Sequence, residues 1–400
     1  MLRQKQTNEL IERLSELDAP VLSVYADINP ANPDNKGGAW RIRVKNALKD
    51  IEEIQKRTER SPSLYEAVLE LLAEERPAAR TMALFARQNH LGKTFVERVD
   101  LQVGLPVVDL RRGRVEARWG EPYLMPLIHA LDEYERTAVL HIDGAGWRFF
   151  ELYMGEIEER SDIFREFDEE DWKELSDAAE FIRSGRLREK TEPTRAGDSR
   201  DPYRKKRMAW LHKLHVRLAR LLDKALRALH VDRLVIMGDE DETGPFCNVL
   251  PRHLRERIVA RIHNPKNEKT PNIADIRARV EPVLAEAERV AEMALLDEIS
   301  EQPGIRGLAP VLEALQIGRI DTLAVPFDLD AKAWTCPDSG LLSPDPAELR
   351  ELCDRPEEIS LRDHIFALAR DYGTRLEFVE GAARERLLRE FGGIAGKRRW

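Results

Sequence analysis

The stretch Ala291–Val325, AEMALLDEISEQPGIRGLAPVLEALQIGRIDTLAV, decides how the C-terminal part of this chain is organised. Apolar residues recur every three or four positions in its first two segments, and Pro303-Gly304 separates them, so two helices are predicted. The run Ile320–Val325 is short, apolar and partly β-branched, which indicates a buried strand. Two helices followed closely by a strand predict an α/β unit.

The remaining C-terminal sequence continues the same alternation. SLRDHIFALARDYG predicts a helix that ends at Gly373, because glycine is the preferred residue after a helix. TRLEFVEG predicts a strand, and FGGIAGKRRW forms the terminal segment. Upstream of this helix, AWTCPDSGLLS indicates a hairpin without a metal, since a second Cys pair is absent. A small α/β/α sandwich is therefore expected over residues 279–400.

Two further α/β units precede this one. In the middle unit, TAVLHIDGAGWRFFELYMGEIEERSDI predicts an antiparallel meander, DRLVIMGDE a buried strand and VLPRHLRERIVARIH a helix. A long helix is expected from about Tyr203 to His230, and its buried face comprises Met208, Leu211, Leu214, Leu218, Leu222, Ala225 and Leu229. The predicted fold class is therefore mixed α/β (α+β), with mixed sheets flanked by helices in three domains, 1–134, 135–278 and 279–400.

The composition is that of a globular protein. The 400 residues are 42% hydrophobic and 34% charged, with a net charge of −9. The three cysteines form no CxxC pair, and the sequence has neither an apolar signal segment nor a membrane-length apolar run. A cytoplasmic protein without membrane contact is expected, and no cofactor or metal is predicted. Net acidity does not exclude nucleic acid, because a local basic patch is sufficient.

The C-terminal unit resembles the corresponding domain of the archaeo-eukaryotic peptide-chain release factors and Pelota. The resemblance rests on a helix and strand with an ALxxGxxxTLxV-like pattern and on an FGGI stretch, in which the matching residues are Gly318, Thr322, Leu323, Val325, Gly392, Gly393 and Ile394. VLSVYADINPANPDNKGGAWRIRVKNALKDIE, Val21–Glu52, resembles the opening of the bacterial relatives. The resemblance implies a three-domain release-factor or Pelota-like architecture.

In that family, a loop before a long basic helix reaches the peptidyl-transferase centre and carries Gly-Gly-Gln at its tip. Its glycines permit a tight backbone, a backbone amide stabilises the oxyanion and the glutamine holds the attacking water. Here Ala196, Gly197 and Asp198 occupy that place. A carboxylate would be repelled by surrounding RNA phosphates, so peptidyl-tRNA hydrolysis is not expected and the chain is interpreted as a non-enzyme.

Bacterial relatives that lack the tripeptide include the Balon-like ribosome hibernation factors. The resemblance implies a translation factor that occupies the A site of idle or stressed 70S ribosomes and contacts rRNA at the decoding and peptidyl-transferase centres. Elongation factor Tu is a further candidate partner. Three alternatives remain: a release or rescue hydrolase with Asp198 as general base, a Pelota-like recruiter of a translational GTPase, and an RNA-binding role away from ribosomes.

The basic run around the start of the long helix is the main candidate RNA-binding segment. Residues 186–220 contain 12 Lys or Arg against four acids. Phosphate would neutralise cations that otherwise oppose the dipole at the helix start, and Tyr203 is suited to base stacking. The candidate RNA-contacting residues here are Arg195, Gly197, Asp198, Arg200, Tyr203, Arg204, Lys205, Lys206, Arg207 and His212.

Other polar clusters give weaker signals. Lys36, Arg41, Arg43 and Lys45 surround a KGG turn, which either approaches RNA phosphates or is a plain loop. GDEDETG, Gly238–Gly244, follows a strand and is better explained as a solvated acidic turn than as a Mg²⁺ site. His212 and His215 lack a third metal ligand, and His215 is expected in the core.

Overall fold

The computed structural model describes residues 4–15, 20–58, 63–73, 78–89, 93–108, 115–143, 146–165, 167, 169, 173, 177, 201–264, 271–301, 304–337, 339–351 and 353–400. Contacts along the chain group it into two compact units. Glu135–Ala287 form the middle unit, and Leu2–Tyr134 together with Glu288–Trp400 form the terminal unit. The three domain boundaries predicted from the sequence remain a prediction.

The N-terminal part of the terminal unit combines an antiparallel sheet with helices. Its elements are α1 (Gln4–Ser15), β1 (Val21–Asp27), α2 (Ala39–Thr58), α3 (Ser63–Ala73), β2 (Thr81–Gln88), β3 (Thr94–Leu101), β4 (Val115–Gly120) and α4 (Met125–Glu133). The strand order is β3-β2-β1-β4, and every neighbouring pair is antiparallel. β1 is central, which explains why its residues Val21–Ala26 are all buried.

Helices α2 and α3 cover one face of this sheet. The fully buried Trp40 and Val44 of α2 pack in one apolar cluster with Leu22 and Val24 of β1. Burying a large apolar side chain stabilises the fold by about 2 kcal/mol, so this cluster fixes where α2 begins and which face it presents to the sheet.

The middle unit is built around a five-stranded mixed sheet. Its elements are β5 (Thr137–Asp143), β6 (Gly146–Tyr153), β7 (Glu156–Glu159), α5 (Asp201–Ala228), β8 (Arg233–Gly238), α6 (Glu240–Val249), α7 (Arg252–Arg255), β9 (Ile258–His263) and the first part of α8 (Ile273–Glu301). The strand order is β7-β6-β5-β8-β9. The meander β5-β6-β7 is antiparallel as predicted, whereas β5, β8 and β9 run parallel.

Both faces of this sheet are buried. One face packs against α5 through a row that includes Leu211, Leu218 and Leu222. The other face packs against Ile276 and Val280 of α8. The predicted buried face of α5 is correct except at its start, because Met208 is 43% exposed.

Two local predictions in the middle unit are wrong. The sequence pattern predicts that IVARIH belongs to a helix, but Ile258–His263 form the parallel edge strand β9. Its β-branched residues favour a strand, and the helical pattern before it ends at Arg255. The acidic segment after β8 is not a turn but the first turn of α6, where Asp239 caps the helix and Glu240, Asp241 and Glu242 complement the helix dipole.

The C-terminal part of the terminal unit contains the remaining elements. These are β10 (Ile305–Arg306), α9 (Leu308–Gln316), β11 (Ile320–Val325), β12 (Lys332–Thr335), β13 (Leu342–Ser343), α10 (Pro346–Leu349), β14 (Glu357–Ser360), α11 (Leu361–Asp371), β15 (Arg375–Phe378), α12 (Gly381–Phe391) and β16 (Ala395–Arg398). One sheet has the order β10-β16-β11-β15, and a second, smaller sheet has the order β13-β12-β14.

The FGGI stretch joins α12 to the centre of the larger sheet. Gly392 and Gly393 have φ values of 70° and 84°, a left-handed backbone that glycine adopts readily. The chain then enters β16, which lies between β10 and β11. The two glycines thus allow α12 to end and the last strand to insert between the other two.

The predicted mixed α/β class, with mixed sheets flanked by helices, is confirmed. AWTCPDSGLLS forms a hairpin between β12 and β13, as expected. Among the described residues, no helix combines the length and the apolar character that crossing a membrane requires.

Candidate nucleic-acid interface

Helix α5 has a buried face and a strongly basic exposed face. It spans 28 residues, Asp201–Ala228. Its exposed cations recur every three or four positions, and this set, called the α5 stripe below, comprises Lys213, Arg217, Arg220, Lys224 and Arg227. At 3.6 residues per turn the five positions fall within about 80° of the helix circumference, opposite Leu222 in the core. The stripe extends over about 21 Å, since each helical residue rises 1.5 Å.

The five cations of the stripe differ in the contacts that they make with other residues of the protein. The Arg217 guanidinium lies over the Phe167 ring, 4.5 Å from its centroid. Arg227 forms an ion pair of 2.7 Å with Asp223. Lys213, Arg220 and Lys224 form neither a hydrogen bond nor an ion pair with any described residue. Successive positive charges about 6 Å apart match what a phosphate backbone needs for repeated contacts, because four helical residues rise that far.

Asp223 is the acidic residue that interrupts this face. It accepts a hydrogen bond from His253 Nε2 at 3.0 Å and also contacts Arg227. Burial favours the protonated acid, but the hydrogen bonds from His253 and Arg227 outweigh burial and lower the pKa of Asp223. The carboxylate is therefore held by its own neighbours, which reduces its repulsion of an approaching phosphate.

The predicted RNA-binding residues of the middle unit are only partly placed by the structure. Arg195, Gly197, Asp198 and Arg200 lie outside the described residues. The next five form the first two turns of α5, but their side chains lie outside the described part: Tyr203, Arg204, Lys205, Lys206 and Arg207. Their assignment to RNA binding stays a prediction.

The two histidines of α5 occupy different environments. His212 is exposed and precedes Lys213 in sequence, but it lies outside the arc of the stripe. His215 is buried in the core, as predicted, where burial lowers its pKa to about 4 and the nearby His212 adds to the effect. Trp210 is half-buried and packs against the core. His215 is thus neutral at physiological pH, and only His212 faces solvent.

The N-terminal KGG loop is organised by one carboxylate. Asp27 accepts hydrogen bonds from the Asn29 amide at 2.9 Å, Asn32 Nδ2 at 2.8 Å and Asn35 Nδ2 at 3.0 Å. Asn35 Nδ2 also donates to the Asn29 carbonyl at 2.9 Å. The loop is therefore held in one conformation by side-chain bonds and is not a plain flexible connection.

The two glycines end this loop, and the two arginines that follow them belong to the start of α2. Gly37 and Gly38 both have a left-handed backbone, with φ values of 65° and 77°. Arg41 Nε donates to the Leu72 carbonyl at 2.8 Å, and Arg43 donates to the Asp34 carbonyl at 3.2 Å and to Asn35 Oδ1. Both arginines are half-buried. Of the four cations predicted here as RNA contacts, Lys36 and Lys45 are exposed.

The α5 stripe is not among the residues predicted from the sequence to contact RNA. The spacing of positions 213, 217, 220, 224 and 227 is visible in the sequence and would have identified it. The predicted candidates lay instead around the helix start. The α5 stripe is thus a set of cations with known positions, next to predicted RNA-binding residues that mostly lie outside the described part of the chain.

Comparisons with known proteins agree with this picture of the middle unit. The model of the bacterial archaeo-eukaryotic release factor family 10 matches residues 122–292, a range that contains the whole middle unit, Glu135–Ala287. No curated protein matches the chain significantly.

Several solved structures are distantly similar to the chain. The archaeal translation termination factor aRF1 shares 13% identity, with 100% of this chain and 99% of that chain covered, at a TM-score of 0.24. Archaeoglobus fulgidus Pelota shares 14% identity over 80% of this chain and 79% of its own, at a TM-score of 0.30. A ribosome-bound archaeal Pelota, described together with ABCE1, shares 13% identity over 100% and 95%, at a TM-score of 0.37.

These three TM-scores are too low for the superpositions to carry an argument, so the assignment rests on the family model. That model covers the sheet of the middle unit, the helix α5 and its stripe. Over residues 122–292, the protein is similar to the bacterial archaeo-eukaryotic release factor family 10.

Proposed function

We propose that this protein is a ribosome-binding translation factor that occupies the A site of idle or stressed 70S ribosomes. In this proposal it acts as a hibernation factor and contacts rRNA through the start and the exposed face of α5. Elongation factor Tu is a second candidate partner. The proposed role is that of a binding protein, not of an enzyme.

The observation that carries the proposal is the α5 stripe, which lies within the part of the chain that matches the release-factor family. A protein of net charge −9 needs a local concentration of cations to approach RNA, and this face supplies one. Contacts of lysine and arginine side chains with phosphates carry no sequence information. That property suits a factor that binds any ribosome whatever codon it carries.

The sequence that corresponds to the family's Gly-Gly-Gln supports a role without hydrolysis. Where the family's hydrolases have Gly-Gly-Gln, this chain has Ala196-Gly197-Asp198. A glutamine amide both donates and accepts hydrogen bonds, whereas an ionised aspartate only accepts them. An anionic side chain among RNA phosphates is also repelled by them. The chain therefore lacks the group that would hold the attacking water.

The experiment that tests the stripe compares two charge-matched double variants in ribosome co-sedimentation. Arg220→Glu with Lys224→Glu reverses two cations of the stripe. Arg252→Glu with Arg255→Glu reverses two exposed cations of α7 in the same unit. We expect wild type and the α7 variant to pellet with vacant 70S ribosomes and the stripe variant to remain in the supernatant. Equal pelleting of both variants would exclude the stripe from the interface.

Two further measurements refine the same experiment. The slope of log K against log salt should fall in magnitude by about 2 in the stripe variant, because each phosphate contact contributes about one unit. Occupying the A site with tRNA beforehand should prevent binding of the wild-type protein. Undiminished binding in the presence of A-site tRNA would contradict the proposed location while leaving ribosome binding intact.

A further inference from the structure

A cleft of about 490 Å³ lies in the terminal unit, and none of its lining residues belongs to α5. Its lining includes His129 and Glu133 of α4, together with Glu380, which directly precedes α12. These three residues bring one imidazole and two carboxylates to the wall of a single cleft. None of them takes part in the proposed contact with RNA.

The backbone places the three side chains together. His129 and Glu133 are four positions apart on α4, so they lie on the same helix face. Glu380 is the N-cap residue of α12. One potential ligand atom from each residue lies within 4.8 Å of the other two, and His129 Nε2 is 3.0 Å from Glu380 Oε1.

The surroundings fix the imidazole in place. His129 is only 3% exposed, and its ring packs against Phe327 and Phe378, with centroid distances of 5.1 Å and 5.2 Å. Its Nδ1 atom has no hydrogen-bond partner among the described residues. The ring's polar contact is therefore made through Nε2, the nitrogen that faces Glu380.

Arg289 holds both carboxylates by one oxygen each. Its Nη1 donates to Glu380 Oε2 at 2.9 Å, and its Nη2 donates to Glu133 Oε2. The backbone amide of Glu380 is held in turn by Glu292 Oε2 at 3.1 Å. The Oε1 atoms of Glu133 and Glu380 are therefore oriented by a fixed cation but not occupied by it. Such outer contacts orient the ligands in many metal sites.

We propose that His129, Glu133 and Glu380 bind a divalent transition-metal ion, with Zn²⁺ as the best-suited probe. One imidazole nitrogen and two carboxylate oxygens suit zinc, whereas Mg²⁺ and Ca²⁺ prefer oxygen ligands alone. The ion would take the place of the hydrogen between His129 Nε2 and Glu380 Oε1. Three protein ligands leave at least one coordination position for water or a ligand from the cleft.

A structural network of ion pairs around Arg289 is the competing explanation, and zinc titration distinguishes the two. The full-length protein is stripped with a chelator and titrated with ZnCl₂ by calorimetry, and bound zinc is counted by elemental analysis after gel filtration. We expect one zinc ion for each wild-type chain, a higher unfolding temperature in its presence and no comparable heat with MgCl₂. Wild-type protein that retains no zinc would overturn the proposal.

Variants locate the bound ion. Glu133→Gln and Glu380→Gln keep the side-chain size and should each weaken zinc binding at least tenfold. Glu256→Gln together with His253→Ala removes an exposed carboxylate and imidazole elsewhere, and should bind zinc as wild type does. His129→Ala is included with circular dichroism as a check of folding. Unchanged stoichiometry and affinity in both glutamine variants would assign the zinc to other residues and refute the site.

Discussion

The ring of His215 lies beside that of Trp147 in the core of the middle unit, with centroids 5.9 Å apart. Phe246 contacts the same imidazole, at a centroid distance of 5.7 Å. This apolar enclosure disfavours the imidazolium ion and lowers the pKa of His215 to about 4. The histidine thus links the stability of the unit that carries α5 to pH.

This link predicts that acid destabilises the middle unit. The folded-state pKa of His215, about 4, is below the ordinary value of 6.5, so the unfolded chain binds more protons between these values. The free energy of unfolding should be fully maintained above pH 6.5 and should fall as the pH drops, by about 3 kcal/mol at pH 4. Urea unfolding at pH 7.0, 5.5 and 4.5 measures this loss. His215→Leu should flatten the profile, and an unchanged profile would show that other groups cause it.

Asp27 is predicted to control the order of the KGG loop. Replacing it with alanine leaves the Asn29 amide and the side chains of Asn32 and Asn35 without their acceptor. We expect Asp27→Ala to reduce the free energy of unfolding by about 2–3 kcal/mol, since each lost bond costs roughly 1 kcal/mol. Asp50→Ala, at an exposed position of α2, is the control and should change stability by less than about 0.5 kcal/mol. Similar losses in both variants would contradict this role.

Gly38 should not tolerate a side chain. Its φ of 77° is left-handed, and an added Cβ would lie 2.8 Å from Arg41 Nη1. We expect Gly38→Ala to lower stability by about 1–2 kcal/mol, because an L-residue is strained in this conformation. Gly104→Ala is the matched control, since nothing lies within 4 Å of its added Cβ. Differential scanning fluorimetry of the two variants compares the costs, and a neutral Gly38→Ala would refute the conformational requirement.

The basic start of α5 is predicted to contribute to ribosome binding. Arg204→Glu, Lys205→Glu and Lys206→Glu together replace three cations by anions, which phosphates repel. We expect this triple variant to lose co-sedimentation with vacant ribosomes at 100 mM salt. A triple variant with the same charge change at Arg252, Arg255 and Lys332 should still pellet. If the triple variant at Arg204, Lys205 and Lys206 still pelleted with ribosomes, the interface would lie in other parts of the chain.

Peptidyl-tRNA hydrolysis is predicted to be absent. The measurement is release of labelled peptide from ribosomes that carry peptidyl-tRNA, with a Gly-Gly-Gln release factor as the positive control. Wild-type protein should release no more peptide than buffer alone, because the resemblance to release factors puts Asp198, which only accepts hydrogen bonds, at the glutamine position. Release above the blank that disappears in Asp198→Asn would instead establish a hydrolase that uses the carboxylate as a base.

The sequence predicts the fold best where a single periodicity dominates. The buried row of α5, with Leu211, Leu218 and Leu222, and the meander after Thr137 were both foreseen because their patterns extend over many residues. Ile258–His263 were assigned wrongly, because six apolar and basic residues fit a short helix as well as an edge strand. Their pairing with β8 supplies the information that local pattern lacks.

The polar sites are less predictable, because they depend on contacts between distant residues. His129 and Glu380 are 251 positions apart, and nothing local to either one indicates that they meet. The Asp27 network is more nearly readable, since Asn29, Asn32 and Asn35 follow within eight residues and asparagine commonly organises turns. Even there, the contacts of Arg41 with α3 and of Arg43 with the loop become known only from the positions of Leu72 and Asp34.

The α5 stripe lies on the side of the helix opposite Leu222. Selection for core packing and selection for surface charge therefore act on different residues of one helix. Substitutions at Arg220 or Lys224 alter surface charge without disturbing the packed side chains below, so they carry little penalty for folding. The strength of attachment to a polyanion can therefore drift upward or downward over generations, or be adjusted by design, while the scaffold remains intact.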